Sequence, residues 1–180
     1  MDFLPLSGAL VLLAVVAAAA ALVLLVSSGG RSAADDLLPN DLKGARLVIS
    51  EKTVERKRPV HVRGRPDEVW LKDGRRVIIE TKSRAGRVFE GDRMQIAAYA
   101  YMLRGDGGPP LAPHGYVRFT GGEAVSFQKV KLKPDDDVVA AHRRLQRVLK
   151  KKEKPAFASA AALCRGCGHL ERCPQPKASR

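Results

Sequence analysis

Asp67, Glu80 and Lys82 are the side chains most able to do chemistry together, and they lie in one short stretch, GRPDEVWLKDGRRVIIETKSR, residues 64 to 84. The stretch reads as a hairpin, DEVWL then RVIIETK, turning at Asp73-Gly74, the preferred pair for a two-residue type I′ turn. Centring the turn there sets Val69 opposite Ile78, Trp70 opposite Val77 and Asp67 opposite Glu80. Opposed residues of an antiparallel pair project to the same side, and Lys82, two residues past Glu80, shares it. Two carboxylates and an ammonium therefore converge at the open end of the hairpin. A second Glu-x-Lys, Glu55-Arg56-Lys57, sits in the polar run TVERKRP, whereas Glu80 follows the apolar run Val77-Ile78-Ile79 of a buried strand. A carboxylate at the end of a buried strand has to be satisfied by a partner or a metal, because an unpaired buried charge is costly.

The elements that position these residues follow from patterning. RLVIS and PVHVRG are short candidate strands before the hairpin, and EGDRMQIAAYAYMLR, residues 90 to 104, is a helix with Met94, Ala97, Ala98, Tyr101 and Met102 on its apolar face. GDGGPPLAP is a loop, HGYVRFT and EAVSFQKVKL are strands joined at Gly121-Gly122, and Pro134-Asp135-Asp136-Asp137 opens a second helix. Its acids stand at the positive end of the helix dipole, and Arg143 to Lys152 stand at the negative end. The order strands, helix, strands, helix predicts an α/β architecture, a mixed sheet flanked by helices.

Residues 3 to 26 carry no charge; as a helix, 24 residues span about 36 Å, enough for a hydrocarbon core of about 30 Å. Residues 1–26 are thus expected to form a transmembrane helix. A cleaved signal peptide is the competing reading, disfavoured by the length and by Asp2 where a basic residue belongs. Arg31, Lys43 and Arg46 follow the segment, so the rest of the chain is expected in the cytoplasm as a single-pass membrane protein. Residues 27–45, small, polar and punctuated by Gly and Pro, read as a flexible linker; residues 46–154 read as one compact domain and 155–180 as a cysteine-rich segment. The net charge of +13 points to a polyanionic partner, either nucleic acid or the anionic inner leaflet. Cys164, Cys167 and Cys173, packed into CRGCGHLERC in a cytoplasmic domain, argue for a metal or cluster rather than disulfides.

GRPD (Gly64 to Asp67), IIETK (Ile78 to Lys82), Gln95-x3-Tyr99 and the three cysteines, in that order, resemble the PD-(D/E)XK nuclease superfamily. The closer likeness is to its RecB-like branch, with the CRISPR-associated (Cas4-type) exonucleases of antiviral defence and their membrane-anchored stand-alone relatives. The resemblance implies a restriction-endonuclease-like core and hydrolysis of DNA, by an exonuclease on ends or single strands. It makes Asp67, Glu80 and the Thr81 carbonyl the ligands of Mg²⁺ or Mn²⁺, hard cations that take oxygen donors. It gives Lys82 the attacking water to orient or polarise, and Gln95 and Tyr99, stacked at i and i+4, a contact with DNA. Arg84 and Arg87 are candidate phosphate contacts, with a solvated loop as the equal alternative. Many relatives carry an additional upstream ligand, for which His61 and Glu51 are the candidates here; His61, in the strand-like PVHVRG, reads rather as an exposed strand residue.

The same resemblance implies a [4Fe-4S] cluster on the cysteines, here without the usual fourth cysteine. A Zn²⁺ site completed by His169, His142 or His114 is the alternative, and a relic motif the third. Against the nuclease stands a rival of another class, a catalytically idle module that tethers DNA at the membrane; keeping two carboxylates aimed at a phosphate argues against it. A lipid-binding domain explains the charge and none of the motifs.

Overall fold

The computed structural model describes residues 38–158, 160–165 and 167–174. The expected transmembrane helix and most of the expected linker lie outside the described residues. Among the described residues no helix is long and apolar enough to cross a membrane.

Five strands form a mixed sheet in the order β1-β4-β5-β6-β7: β1 (Arg46–Ser50), β4 (Glu68–Lys72), β5 (Arg75–Lys82), β6 (His114–Phe119) and β7 (Ser126–Lys131). β5 and β6 run parallel and the other neighbours antiparallel. The hairpin register is the one read from the turn, with Val69 opposite Ile78 and Trp70 opposite Val77. Both turn residues have positive φ, Asp73 at 49° and Gly74 at 72°, as a type I′ turn requires. A parallel pair needs a crossover connection, and helix α1 (Glu90–Arg104) supplies it between β5 and β6.

α1 lies on the sheet face that carries Val69, Ile78, Val117, Phe119 and Val130, where it buries Ile96, Ala97, Ala100, Tyr101 and Leu103. Met94 and Ala98, expected on its buried face, are only half-buried there, because the wider core stripe is centred on Ala97, Ala100 and Tyr101. Helix α2 (Asp135–Leu149) packs beside it through Val138 and Val139. A small second sheet, β2 (Val54–Arg56) with β3 (Val62–Gly64), closes over α1 from the other side. The run TVERKRP is polar in sequence and is not among the candidate strands. It forms β2 because Val54, paired with Gly64, and Val62 each turn one half-buried face onto the core.

The opposite sheet face holds a smaller core of Val77, Ile79, Ala112 and Tyr116, closed by Leu38 and Leu42. The structure therefore corrects the linker boundary: Leu38 is 5% and Leu42 2% exposed, and a one-turn 3₁₀ helix at Asn40–Leu42 presses them onto the sheet. A loop composition concealed two apolar residues four apart on one side of a turn. The expected flanking helices, accordingly, lie on one face; among the described residues the other face is covered by this turn.

Candidate functional site

Strand alternation puts Asp67, Ile78, Glu80 and Lys82 on the α1 side of the sheet, and the helix brings Gln95 and Tyr99 down onto them. Lys82 Nζ donates to Glu80 Oε1 at 2.9 Å and to Gln95 Oε1 at 2.7 Å. Gln95 Nε2 donates to Glu80 Oε1 at 2.6 Å and to the Tyr99 hydroxyl at 2.9 Å. Asp67 lies one residue past the last hydrogen-bonded rung of the hairpin, and its Oδ2 accepts the Thr81 N–H at 2.8 Å. The chain thus assembles all six of Asp67, Glu80, Thr81, Lys82, Gln95 and Tyr99. Gly64 makes room for the helix: a Cβ there would stand 3.0 Å from Met102 Cε and 3.2 Å from Tyr99 Cε1.

Glu80 is the electrostatic centre. Burial pushes its carboxyl above the ordinary value and the Asp67 charge adds to this, against the opposing bonds from Lys82 and Gln95. One of its oxygens, Oε2, is buried and has no hydrogen-bond partner. Tyr99 is likewise pushed up, by burial first and by the Glu80 and Asp67 charges. A buried carboxylate oxygen left without a donor, beside a second carboxylate, offers the hard oxygen donors that a divalent cation takes. The residues present fit a divalent metal of the Mg²⁺ or Mn²⁺ kind.

Arg84 does not reach toward this cluster as a free cation. Its guanidinium donates to Asp92 at 2.5 Å and to the Arg87 carbonyl at 2.8 Å, and lies over the rings of Phe89 and Phe119. Arg87 is exposed, 5.5 Å above the Phe89 ring. His61 is exposed and bonded to Glu55, and the exposed Glu51 side chain faces Arg65 at 3.8 Å; neither joins the site. Of the cysteines, Cys164 is buried on the short helix α3 (Ala161–Arg165), and Cys167 and Cys173 are half-buried; all three are free thiols. Among the described residues no three His, Cys, Asp or Glu side chains are grouped to hold a metal ion. His114 instead stacks edge-on against Tyr116, and His169 is exposed.

Two features escaped the sequence reading. Asp92 caps α1 by accepting the Phe89 N–H at 2.8 Å, binds Arg84, and stands 3.9 Å from Lys82. Burial works against its ionisation, but the Phe89 N–H, Arg84 and the Lys82 charge outweigh it and hold the carboxyl below its usual range. An acid in the first helical turn, three residues past the chain's entry to the helix, was the available signal. On the reverse face of the sheet, Trp70 Nε1 donates to Glu68 Oε2 at 2.8 Å, Arg118 pairs with Glu68, and Arg118 Nε donates to Thr81 Oγ1 at 3.1 Å. That network backs β5 behind the Glu80–Lys82 cluster, and nothing local in the sequence announces it.

A family model described as the PD-(D/E)XK nuclease superfamily matches residues 24–174, and the chain belongs to that superfamily. Its members are hydrolases that cut phosphodiester bonds of nucleic acids, typically with Mg²⁺ or Mn²⁺. Among solved structures, the chain is similar to the crystal structure of SSO0001, at 18% identity and a TM-score of 0.51. The likeness covers 69% of this chain and 59% of that one, so it speaks for the fold alone. No curated protein matches.

Proposed function

We propose that the chain is a membrane-anchored, divalent-metal-dependent deoxyribonuclease of the RecB-like kind, working as an exonuclease on DNA ends or single strands. The observation that carries the reading is the unpartnered, buried Glu80 Oε2 beside Asp67. Asp67, Glu80 and the Thr81 carbonyl would hold the cation. When bound, the cation offsets phosphate charge and makes water a better nucleophile at neutral pH. The chain's own residues do the rest. Lys82, pinned between Glu80 and Gln95, presents its ammonium to the water and to the phosphate. Gln95 fixes Lys82 and Glu80 relative to each other, and Tyr99 holds the Gln95 amide in one orientation. Arg87, exposed beside the Phe89 ring, is the candidate contact for the DNA backbone. The anchor rests on the uncharged residues 3–26 and the basic residues after them, which would leave the nuclease domain in the cytoplasm. The sequence spacing of Cys164, Cys167 and Cys173, though their side chains are not gathered in the fold, speaks for a soft-metal site, an Fe–S cluster or Zn²⁺; metal-free, folded protein from anaerobic purification would remove that part alone.

The test is cleavage of end-labelled single- and double-stranded DNA by the full chain in detergent, with Mg²⁺, Mn²⁺ or chelator. Cleavage that needs the metal, is lost in Asp67→Ala, and releases short products progressively from an end is expected. Metal-independent cleavage, or wild-type cleavage by Asp67→Ala, would sink the assignment. Internal cuts in closed circles would leave the nuclease and remove the exonuclease.

A further inference from the structure

The apolar stripe of α2 is longer than the core it serves. Val138 and Val139 are buried in the domain, but about two and three helical turns further on, Leu145 is 53% and Leu149 66% exposed. At 100° per residue Val138, Leu145 and Leu149 share one side of the helix, so the stripe that docks the helix overhangs the domain. Among the described residues the chain does not fold back to cover it. Past the helix, Glu153 accepts from Arg144 and Arg147, each at 2.8 Å, and Pro155 and Ala156 come alongside Ala141 and Val148, leaving both leucines exposed. Around them the charge is almost all of one sign. Residues 143 to 154 carry seven Lys and Arg against the single acid Glu153.

Exposed leucines flanked by cations define the kind of surface this helix fits. A second copy of the chain would bring like charges together. DNA would take the cations through its phosphates but offers nothing to two leucines on a helix face. A bilayer with anionic headgroups takes both: leucines enter the acyl boundary while the long basic side chains extend to the phosphates. We infer that the C-terminal half of α2, with Leu145 and Leu149 inward and Arg143, Arg147, Lys150 and Lys151 at headgroup level, docks on an anionic lipid surface. This contact is separate from the nuclease site and does not depend on the reading of that site. It would fix the orientation of a domain that a tether alone leaves free.

Hydrogen exchange of the full chain in lipid nanodiscs tests this locally, which sedimentation with vesicles cannot, since residues 3–26 would hold the chain on any bilayer. With phosphatidylglycerol present, the amides of residues 142–152 are expected to exchange about tenfold more slowly than in phosphatidylcholine alone. Each cation is worth roughly fivefold in partitioning to an anionic surface, so reversing Arg143, Arg147, Lys150 and Lys151 to Glu should erase the protection. Leu145→Ser with Leu149→Ser, at exposed positions that leave the core intact, should erase it as well while keeping every charge. Equal exchange in the two lipids overturns the inference. So does protection conferred by DNA without lipid, or by raised protein concentration alone.

Discussion

Replacing Glu80 by Gln should make the metal-free protein more stable at neutral pH while abolishing cleavage. Oε1 of Glu80 accepts from Lys82 and Gln95, whereas Oε2 is buried and accepts from nothing. Removing the charge weakens the bond to Lys82 but also ends the burial of a carboxylate and its repulsion by Asp67. The balance has a definite sign, because burial in the folded protein raises the Glu80 carboxyl above its ordinary value. A raised carboxyl binds its proton more tightly in the folded than in the unfolded chain. Its stabilising contribution is whole below the unfolded value and is lost as pH rises through the folded one. At pH 7 the wild type therefore carries a cost that an uncharged amide does not. Leaving a buried polar group unsatisfied costs about 1–3 kcal/mol; with the weakened Lys82 bond set against it, a gain of about 1 kcal/mol is expected for Glu80→Gln. For a domain of this size that is roughly 3–6 °C in melting temperature. The assay is thermal unfolding of the full chain in chelator at pH 7 and again near pH 4.5, where the difference should shrink. Saturating Mn²⁺ should reverse the ranking, since a ligand at a hundred times its Kd adds about 2.7 kcal/mol to the protein that binds it. A Glu80→Gln variant that melts below wild type at pH 7 in chelator, or a gap that widens as pH falls, would refute the reasoning.

Asp106→Ala should cost about 3 kcal/mol, seen as a lower urea midpoint, because it strips Arg76, which is 4% exposed, of its carboxylate and leaves only the carbonyls of Leu103 and Pro109 as partners. Asp92→Asn should weaken the α1 cap by about 1 kcal/mol at pH 7. The depressed Asp92 carboxyl contributes stability that is present above its unfolded value and lost as pH falls through the folded one, so the variant should show a shallower acid limb in pH-dependent melting. Gly121→Ala should lower the melting temperature and loosen the end of β5, because its Cβ would lie 2.6 Å from both Arg84 Cα and Ser83 O, backbone atoms that cannot swing aside; overpacking of this kind costs about 1–3 kcal/mol.

The hairpin and the crossover helix were legible because each is written in local chemistry. An Asp-Gly turn sets register, and a run of apolar residues at helical spacing bounded by Phe89 and Gly105 sets α1 at Glu90–Arg104. The convergence of Asp67, Glu80 and Lys82 followed from that register alone. What stayed hidden depends on contacts far apart in the chain. Leu38 and Leu42 read as linker because their burial is decided by Val77 and Ile79 on a strand yet to come. Arg84 read as a candidate phosphate contact or a solvated loop residue, and its bond to Asp92 across the turn into α1 stayed hidden because nothing in the local sequence pairs the two. Arg118 passed as an ordinary strand residue, since its link to Thr81 exists only once β5 and β6 are side by side.

The site is held together by the docking of α1 more than by the hairpin that displays its acids. β5 presents Glu80 and Lys82 two residues apart, and α1 answers with Asp92, Gln95 and Tyr99 at spacings of three and four, so one helix face runs along one strand edge. Each contact between them uses a polar atom that the strand alone would leave exposed or unpaired: Gln95 bridges Lys82 and Glu80, and Asp92 stands behind Lys82 while gripping Arg84. The helix can approach this closely because Gly64 on β3 and Gly115 on β6 present bare backbone, a Cβ at Gly115 falling 2.8 Å from Ile78 O and 3.3 Å from Ile96 Cγ2. A change that shifts α1 by a fraction of an ångström, even one remote from Asp67 and Glu80, would therefore alter the Lys82–Gln95–Glu80 geometry before it unfolded the domain. Substitutions at the α1 seat should accordingly depress cleavage at temperatures where the sheet is still intact.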